Sequence, residues 1–240
     1  MWPYFILYPR SAKNARIASR CLRYLAKLTD MKWELRNGDI LTEDRAAIIV
    51  SNHQSALDIL GMFVVWDVAN KMTAIAKKEL FYVPLIGITF YLCGIVFIDR
   101  KNGKNAYKQL KITTEMLKKY KTKLWVYPEG TRNSNLSTLL PFKKGAFAAA
   151  VDAQLPIIPI VISPYHFFTK GKEALILKGP IVIECLTPEP TVGLLPDDVP
   201  ALTERIRARM DAKYKQLSEE ILDYANVEFD KKFSSRLEIK

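Results

Sequence analysis

The chain has 240 residues, 49% hydrophobic and 25% charged, with a formal net charge of +11. That length supports one large or two small domains with a sizeable core, and the balance is that of a globular protein. Three scattered cysteines argue against a disulfide framework or a thiolate metal cluster and favour a reducing environment, while the charge calls for an anionic partner: nucleic acid, an anionic membrane or an acidic small molecule.

No Gly/Ser/Pro-rich linker and no internal repeat divides the sequence. It reads as an N-terminal membrane-associated helical segment (1–32), an α/β domain (33–202) and a C-terminal helix with a charged tail (203–240). The apolar patch at residues 4–8 is too short to span a bilayer or to serve as a secretory signal. Residues 17–28 follow as an amphipathic helix. Ile17, Ala18, Cys21, Leu22, Tyr24, Leu25 and Leu28 fill one arc, with Arg16, Arg20, Arg23 and Lys27 beside it. Such a helix either lies in the headgroup plane of an anionic membrane or packs on the domain with its charges in solvent.

A strand is expected at residues 46–50, ending at Asn52-His53, and a helix at 56–66. Residues 80–98 form an almost unbroken apolar run, past the threshold of about 18 for a spanning candidate. Pro84, Gly87 and Gly94 interrupt it, so it reads as an apolar helix or loop followed by a strand at 94–98 that leads to Asp99-Arg100. A helix at 105–120 precedes a strand at 124–127, which leads into Pro128-Glu129-Gly130-Thr131-Arg132. A helix at 145–154, a strand at 157–162, a hairpin of 174–178 with 181–186 at a sheet edge, and a closing helix at 203–224 complete the order. Ile206, Met210, Leu217 and Ile221 form the apolar side of that last helix. Alternating strands and helices imply crossover connections, hence a largely parallel mixed sheet flanked by helices. Sites in such sheets lie outside the carboxyl ends of the strands, where three polar strings fall here.

His53, one of only two histidines, stands five residues before Asp58. An imidazole near a carboxylate suits removal of a proton from a hydroxyl near neutral pH. Ser55-Ala56-Leu57-Asp58 is also a capping box, in which Asp58 simply accepts backbone N–H groups. Asn52 suits a turn, and His166, between Tyr165 and Phe167, suits a structural position. Arg132, after the Glu129-Gly130 turn, offers a fork for phosphate, and a base beside a phosphate clamp points to a phosphorylated alcohol.

Together the strings NHQSALD, GIVFIDR, YPEGTR, LPFKKGAF and PIIPIV resemble, in order and spacing, the glycerolipid acyltransferases. Among these they look most like the animal 1-acyl-sn-glycerol-3-phosphate acyltransferases. The resemblance covers residues 33–202. It implies transfer of an acyl group from acyl-CoA to the sn-2 hydroxyl of lysophosphatidic acid, giving phosphatidic acid at the cytosolic face of the endoplasmic reticulum membrane. It further implies His53 as base and Asp58 as its partner. Arg132, Arg100, Lys77 and Lys143 would hold the acceptor phosphate, with Glu129, Gly130 and Thr131 completing the substrate site. No metal, cofactor or nucleic acid is implied. Animal members open with hydrophobic spanning segments. This chain opens with almost none, which implies a shortened form or attachment from one side. The alternatives are an acyltransferase for another acceptor, such as glycerol-3-phosphate or another lysophospholipid, and a basic membrane-surface protein without chemistry.

Overall fold

The computed structural model describes residues 2–26, 32–99, 103–133, 137–165 and 180–237. The chain is a single α/β domain built on a seven-stranded sheet. Its strands are β1 (Lys32–Arg36), β2 (Ala47–Ser51), β3 (Met72–Lys77), β4 (Val96–Ile98), β5 (Lys123–Val126), β6 (Ile157–Ile162) and β7 (Pro180–Cys185), in the order β1-β7-β6-β2-β5-β3-β4. All neighbouring pairs are parallel except β6–β7.

The central strands β6, β2 and β5 are apolar except for Ser51 and Lys123 at strand ends, because both faces are covered. Ala47 and Ile49 of β2 face a layer of α1 (Trp2–Leu7), α2 (Ala12–Ala26), α3 (Asp58–Ala69) and α4 (Ile86–Leu92), with Phe5, Ala15, Met62, Trp66 and Leu92 in its core. Ile48 and Val50, pointing the opposite way, face α5 (Gly103–Tyr120), α6 (Gly145–Asp152) and α7 (Val199–Leu237). Ile206, Met210, Leu217 and Ile221 of α7 are all buried there, as its apolar periodicity requires. The helix starts four residues before its expected beginning and continues beyond residue 224. Gly61 lets α3 lie close on β1, since a Cβ there would come 2.4 Å from the Trp33 ring.

One expectation changes. The strand at 181–186 is not an edge hairpin arm. β7 lies inside the sheet between β6 and β1, because β1 arrives from the far end of the chain and takes the edge. Residues 174–178 lie outside the described residues. The run 80–98 divides as expected into helix and strand: a 3₁₀ turn (Lys78–Tyr82), α4 and β4, broken where Leu85 takes a positive φ of 65° and Gly94 one of 73°. Among the described residues no helix is long and apolar enough to cross a membrane.

The helix expected from residue 17 is α2, which begins at Ala12. It packs on α3, so Ala15 is buried, and Ile17 and Ala18 turn partly into the core. Arg20 Nε donates to Asp67 of α3 at 2.8 Å, and Arg16 to Asn70 at 2.5 Å. The buried Asn14 amide donates to the carbonyls of Tyr8 and Leu92, at 2.6 and 2.9 Å. Of the arc expected to meet lipid, Ile17 and Ala18 are partly buried, while Cys21 and Leu22 are exposed.

Candidate active site

β2 and β5 are adjacent and parallel, with Val50 opposite Val126, so the segments leaving their carboxyl ends emerge side by side. That adjacency joins Asn52–Asp58 to Tyr127–Arg132, which the sequence separates widely. Asn52 extends the β2–β6 pairing beyond the strands: its side-chain amide donates to Ile162 O at 2.9 Å, and its oxygen accepts from Ile162 N at 2.8 Å. It is a buried tie between strand ends rather than a turn residue.

His53 Nδ1 lies 2.6 Å from Asp58 Oδ2. Asp58 is fully buried, whereas the His53 side chain keeps 19% of its surface. The same Oδ2 accepts the backbone N–H of Gln54 at 2.7 Å and of Ser55 at 3.0 Å, while Ser55 Oγ accepts Leu57 N–H at 3.2 Å. The capping arrangement and the imidazole partnership therefore coexist on one carboxylate. The other oxygen, Oδ1, accepts the Tyr165 hydroxyl at 2.5 Å. With Nδ1 engaged, Nε2 is the nitrogen left to meet a substrate hydroxyl.

Two residues of the neighbouring turn hold His53 from the other side. The Tyr127 ring stacks on the imidazole, centroids 4.0 Å apart and planes 16° from parallel. Glu129 is buried, and its Oε1 accepts His53 N–H at 2.8 Å while Oε2 accepts Leu140 N–H at 3.1 Å. Burial pushes the Glu129 carboxyl above its ordinary value, against the pull of those two donors. Its carboxylate braces two backbone segments instead of reaching for a headgroup. Asn133 N–H donates to His53 O at 2.7 Å, joining the same turn to the base.

The cations lie around the rim. Gly130 has a φ of +73°, which favours glycine, and a Cβ there would come 2.7 Å from Lys143 Cε and 2.8 Å from its Nζ. The Lys143 ammonium thus lies directly over the turn that carries Thr131 and Arg132, both exposed. The Gly130 N–H donates to Tyr127 O at 3.1 Å, so the turn itself uses that donor. Lys77, exposed at the end of β3, pairs with Ile98 at the end of β4, so it reaches the same end of the sheet. Arg100 lies outside the described residues.

Gln54, Tyr127, Tyr165 and Tyr214 escape a reading by spacing. Gln54 donates to Ser163 O at 3.0 Å and accepts the Tyr214 hydroxyl at 3.2 Å, a partner 160 positions away. The only sequence signal for Tyr165 is its place just past the carboxyl end of β6. No thiol joins the site: Cys93 and Cys185 are buried, which pushes them up to about 11 and about 12, and neither is poised as a nucleophile.

The Acyltransferase family profile matches residues 32–163. The chain is 39% identical over 209 residues to human "1-acyl-sn-glycerol-3-phosphate acyltransferase alpha", covering 87% of this chain and 73% of that protein. It is 37% identical to the human beta form over the same share of this chain and 74% of that protein. The crystal structure of the 1-acyl-sn-glycerophosphate (LPA) acyltransferase PlsC from Thermotoga maritima aligns with a TM-score of 0.65. Sequence identity there is 21%, with 86% of this chain and 79% of that one covered, a likeness of fold.

Proposed function

The chain belongs to the Acyltransferase family, and on that premise we propose that it transfers an acyl group from acyl-CoA to the free sn-2 hydroxyl of 1-acylglycerol-3-phosphate, giving phosphatidic acid. The observation that carries this reading is the 2.6 Å contact of His53 Nδ1 with a buried, multiply bonded Asp58, which leaves Nε2 for the substrate. His53 Nε2 takes the hydroxyl proton as that oxygen attacks the thioester carbonyl. Asp58 holds the ring and stabilises the imidazolium. The C–O bond forms, the C–S bond breaks, and the proton passes from imidazolium to the departing CoA thiolate. No acyl-enzyme, metal or cofactor enters. Arg132 and Lys143 supply charge for the acceptor phosphate, with Lys77 and Arg100 as further candidates.

An amphiphilic acceptor requires an apolar surface. Tyr4, Ile6, Leu7 and Tyr8 are exposed at the N-terminus, and Phe81, Tyr82, Val83, Leu85, Ile86 and Ile88 along the turn and α4. α1 touches α4, and Arg10 covers the Tyr91 ring at 5.6 Å, so these form one patch with cations at its border. This patch is the proposed membrane contact, in place of the arc at 17–28. A cavity of about 1480 Å³ runs beside it, between α2, α4 and α5, with Arg16, Arg20 and Lys78 among its walls. The endoplasmic reticulum membrane, with the site facing the cytosol, is the proposed setting. Three free cysteines suit a reducing compartment.

The deciding assay gives purified protein one acyl-CoA and, in parallel, lysophosphatidic acid, lysophosphatidylcholine and glycerol-3-phosphate. Phosphatidic acid formed from the first, at least tenfold faster than product from the others, is expected. Preference for another acceptor overturns the substrate assignment, and no thioester consumption with any of them overturns the enzyme reading.

A further inference from the structure

We propose that Tyr165 is a positioning residue for the reaction, its phenol holding the Asp58 carboxylate and moderating how strongly that carboxylate draws on the His53 imidazole. The inference rests on the role of His53 and Asp58 proposed above.

The Tyr165 hydroxyl meets Asp58 Oδ1 at 2.5 Å, while His53 and the two backbone N–H groups share Oδ2. Tyr165 is buried, and its ring packs edge-on against Trp33 of β1 (centroids 6.4 Å apart, 86° between planes), so the phenol is held from behind. Burial and the adjacent Asp58 carboxylate push the Tyr165 hydroxyl far above its ordinary range, so it stays protonated and donates. A donor on Oδ1 draws negative charge away from Oδ2. The ring on Oδ2 is then held without being drawn into giving up its Nδ1 proton, and the imidazolium formed during attack is stabilised less than by a bare carboxylate. Tyr165 keeps its proton throughout the cycle.

The other groups facing this pair are few. Tyr127 stacks on His53, Glu129 accepts the His53 backbone N–H, and the Tyr214 hydroxyl bonds Gln54. Burial pushes the Glu129 carboxyl up and both phenols up as well. Lys143 stands over the Gly130 turn. Tyr165 is the side chain among the described residues that bonds the carboxylate from the side opposite His53.

The test compares the parent with Tyr165→Phe. With the donor gone, Oδ2 attracts the imidazolium more strongly, so the acid limb of kcat/KM should move to higher pH by roughly one unit, the scale of a lost hydrogen bond to a charged group. KM for both substrates should stay within about twofold. Ring-proton NMR gives a readout independent of turnover. The chain has two histidines, so His166→Gln assigns the His53 signals, which should titrate at higher pH in Tyr165→Phe. Site-specific 3,5-difluorotyrosine at position 165, a stronger donor of nearly the same shape, should move both readouts the other way and keeps the test valid if Tyr165→Phe folds poorly. Opposite shifts support the proposal. Unchanged His53 signals in both variants overturn it, even with a lowered melting temperature. A parent with the expected NMR shifts but no transfer to lysophosphatidic acid supports the coupling and overturns the substrate reading alone.

Discussion

The Tyr127 ring lies parallel to the His53 imidazole at 4.0 Å, so the plane of the base is set by the strand next to its own. β5 delivers Tyr127 and β2 delivers His53, and their parallel register makes the stack possible. Stacked aromatic pairs contribute about 0.5–1.5 kcal/mol beyond burial. Tyr127→Phe keeps the stack and should retain most of kcat. Tyr127→Ala frees the imidazole and should lower kcat by roughly tenfold, with KM for acyl-CoA little changed. Equal activity in the two variants means the ring is held by Asp58 alone.

Asp58 has structural and chemical duties that one substitution cannot separate. His53→Ala should abolish most turnover, on the order of 10²–10⁴-fold, with the melting temperature near the parent's. Asp58→Ala should lose comparable activity and also stability. It strands the N–H groups of Gln54 and Ser55 and the Tyr165 hydroxyl in a buried place, at about 1–3 kcal/mol for each unsatisfied group. Asp58→Asn, which can still accept from some of them, should be more stable than Asp58→Ala yet nearly as slow. Thermal melts with single-turnover assays separate the two effects. A melt of Asp58→Ala matching that of His53→Ala argues against the structural duty.

The parts legible in the sequence are those whose causes are local. β2, β5 and β6 read as apolar runs because both faces are buried, and polar residues follow because the strand ends open to the site. β1 and β3 give no such signal. Lys32–Arg36 is an edge strand with charged residues, and Met72–Lys77 mixes Thr, Ala and Lys. The spacing of His53 and Asp58 marks the pair, since both lie in one turn. Glu129 is equally visible, but its direction is not, because its partners come from His53 and Leu140. Likewise the α2 periodicity shows an apolar arc without saying that Ile17 and Ala18 turn toward the core.

Glu129 gives the site a pH signature. Its carboxyl is raised above the ordinary 4.5 by burial, so the folded chain binds that proton more tightly than the unfolded chain. The associated stability is fully present below 4.5 and is lost as pH rises through the raised value. Glu129→Gln lacks this titration. The stability of the parent relative to Glu129→Gln should therefore decline as pH rises above 4.5, measured by urea unfolding at a series of pH values. A constant difference, or one that grows with pH, contradicts the assignment.

Gly130 and Arg132 test the clamp. Gly130→Ala forces a side chain into a positive φ and onto Lys143, so it should raise KM for the phosphorylated acceptor by displacing both the ammonium and the turn. Arg132→Ala should raise the same KM more than that for acyl-CoA, with Arg132→Lys recovering part of the loss because it lacks the fork. Equal rises for donor and acceptor would leave Lys143 or Lys77 as the better acceptor contact.

Attachment to lipid should depend on the α1–α4 patch rather than on α2. Tyr82 is 72% exposed and Leu85 66%, against 38% for Leu22. Leu85 also sits at a positive φ, directly before α4. Tyr82→Glu with Leu85→Glu places two charges where rings and aliphatic carbons would enter the headgroup boundary, whereas Leu22→Glu changes a position already half shielded. The double variant should be released from vesicles containing anionic lipid. It should lose activity on membrane-presented acceptor at least tenfold more than on acceptor dispersed in detergent. Leu22→Glu should shift binding far less. High salt should weaken binding by the parent only in part, since the cations bordering the patch contribute about 1 kcal/mol each near an anionic surface and the apolar contact is unscreened. Co-sedimentation across salt concentrations measures all of this. Equal release by Leu22→Glu and the double variant would return the attachment surface to α2, and a parent that stays in the pellet through alkaline extraction would show that contact with one face of the bilayer is too weak a description.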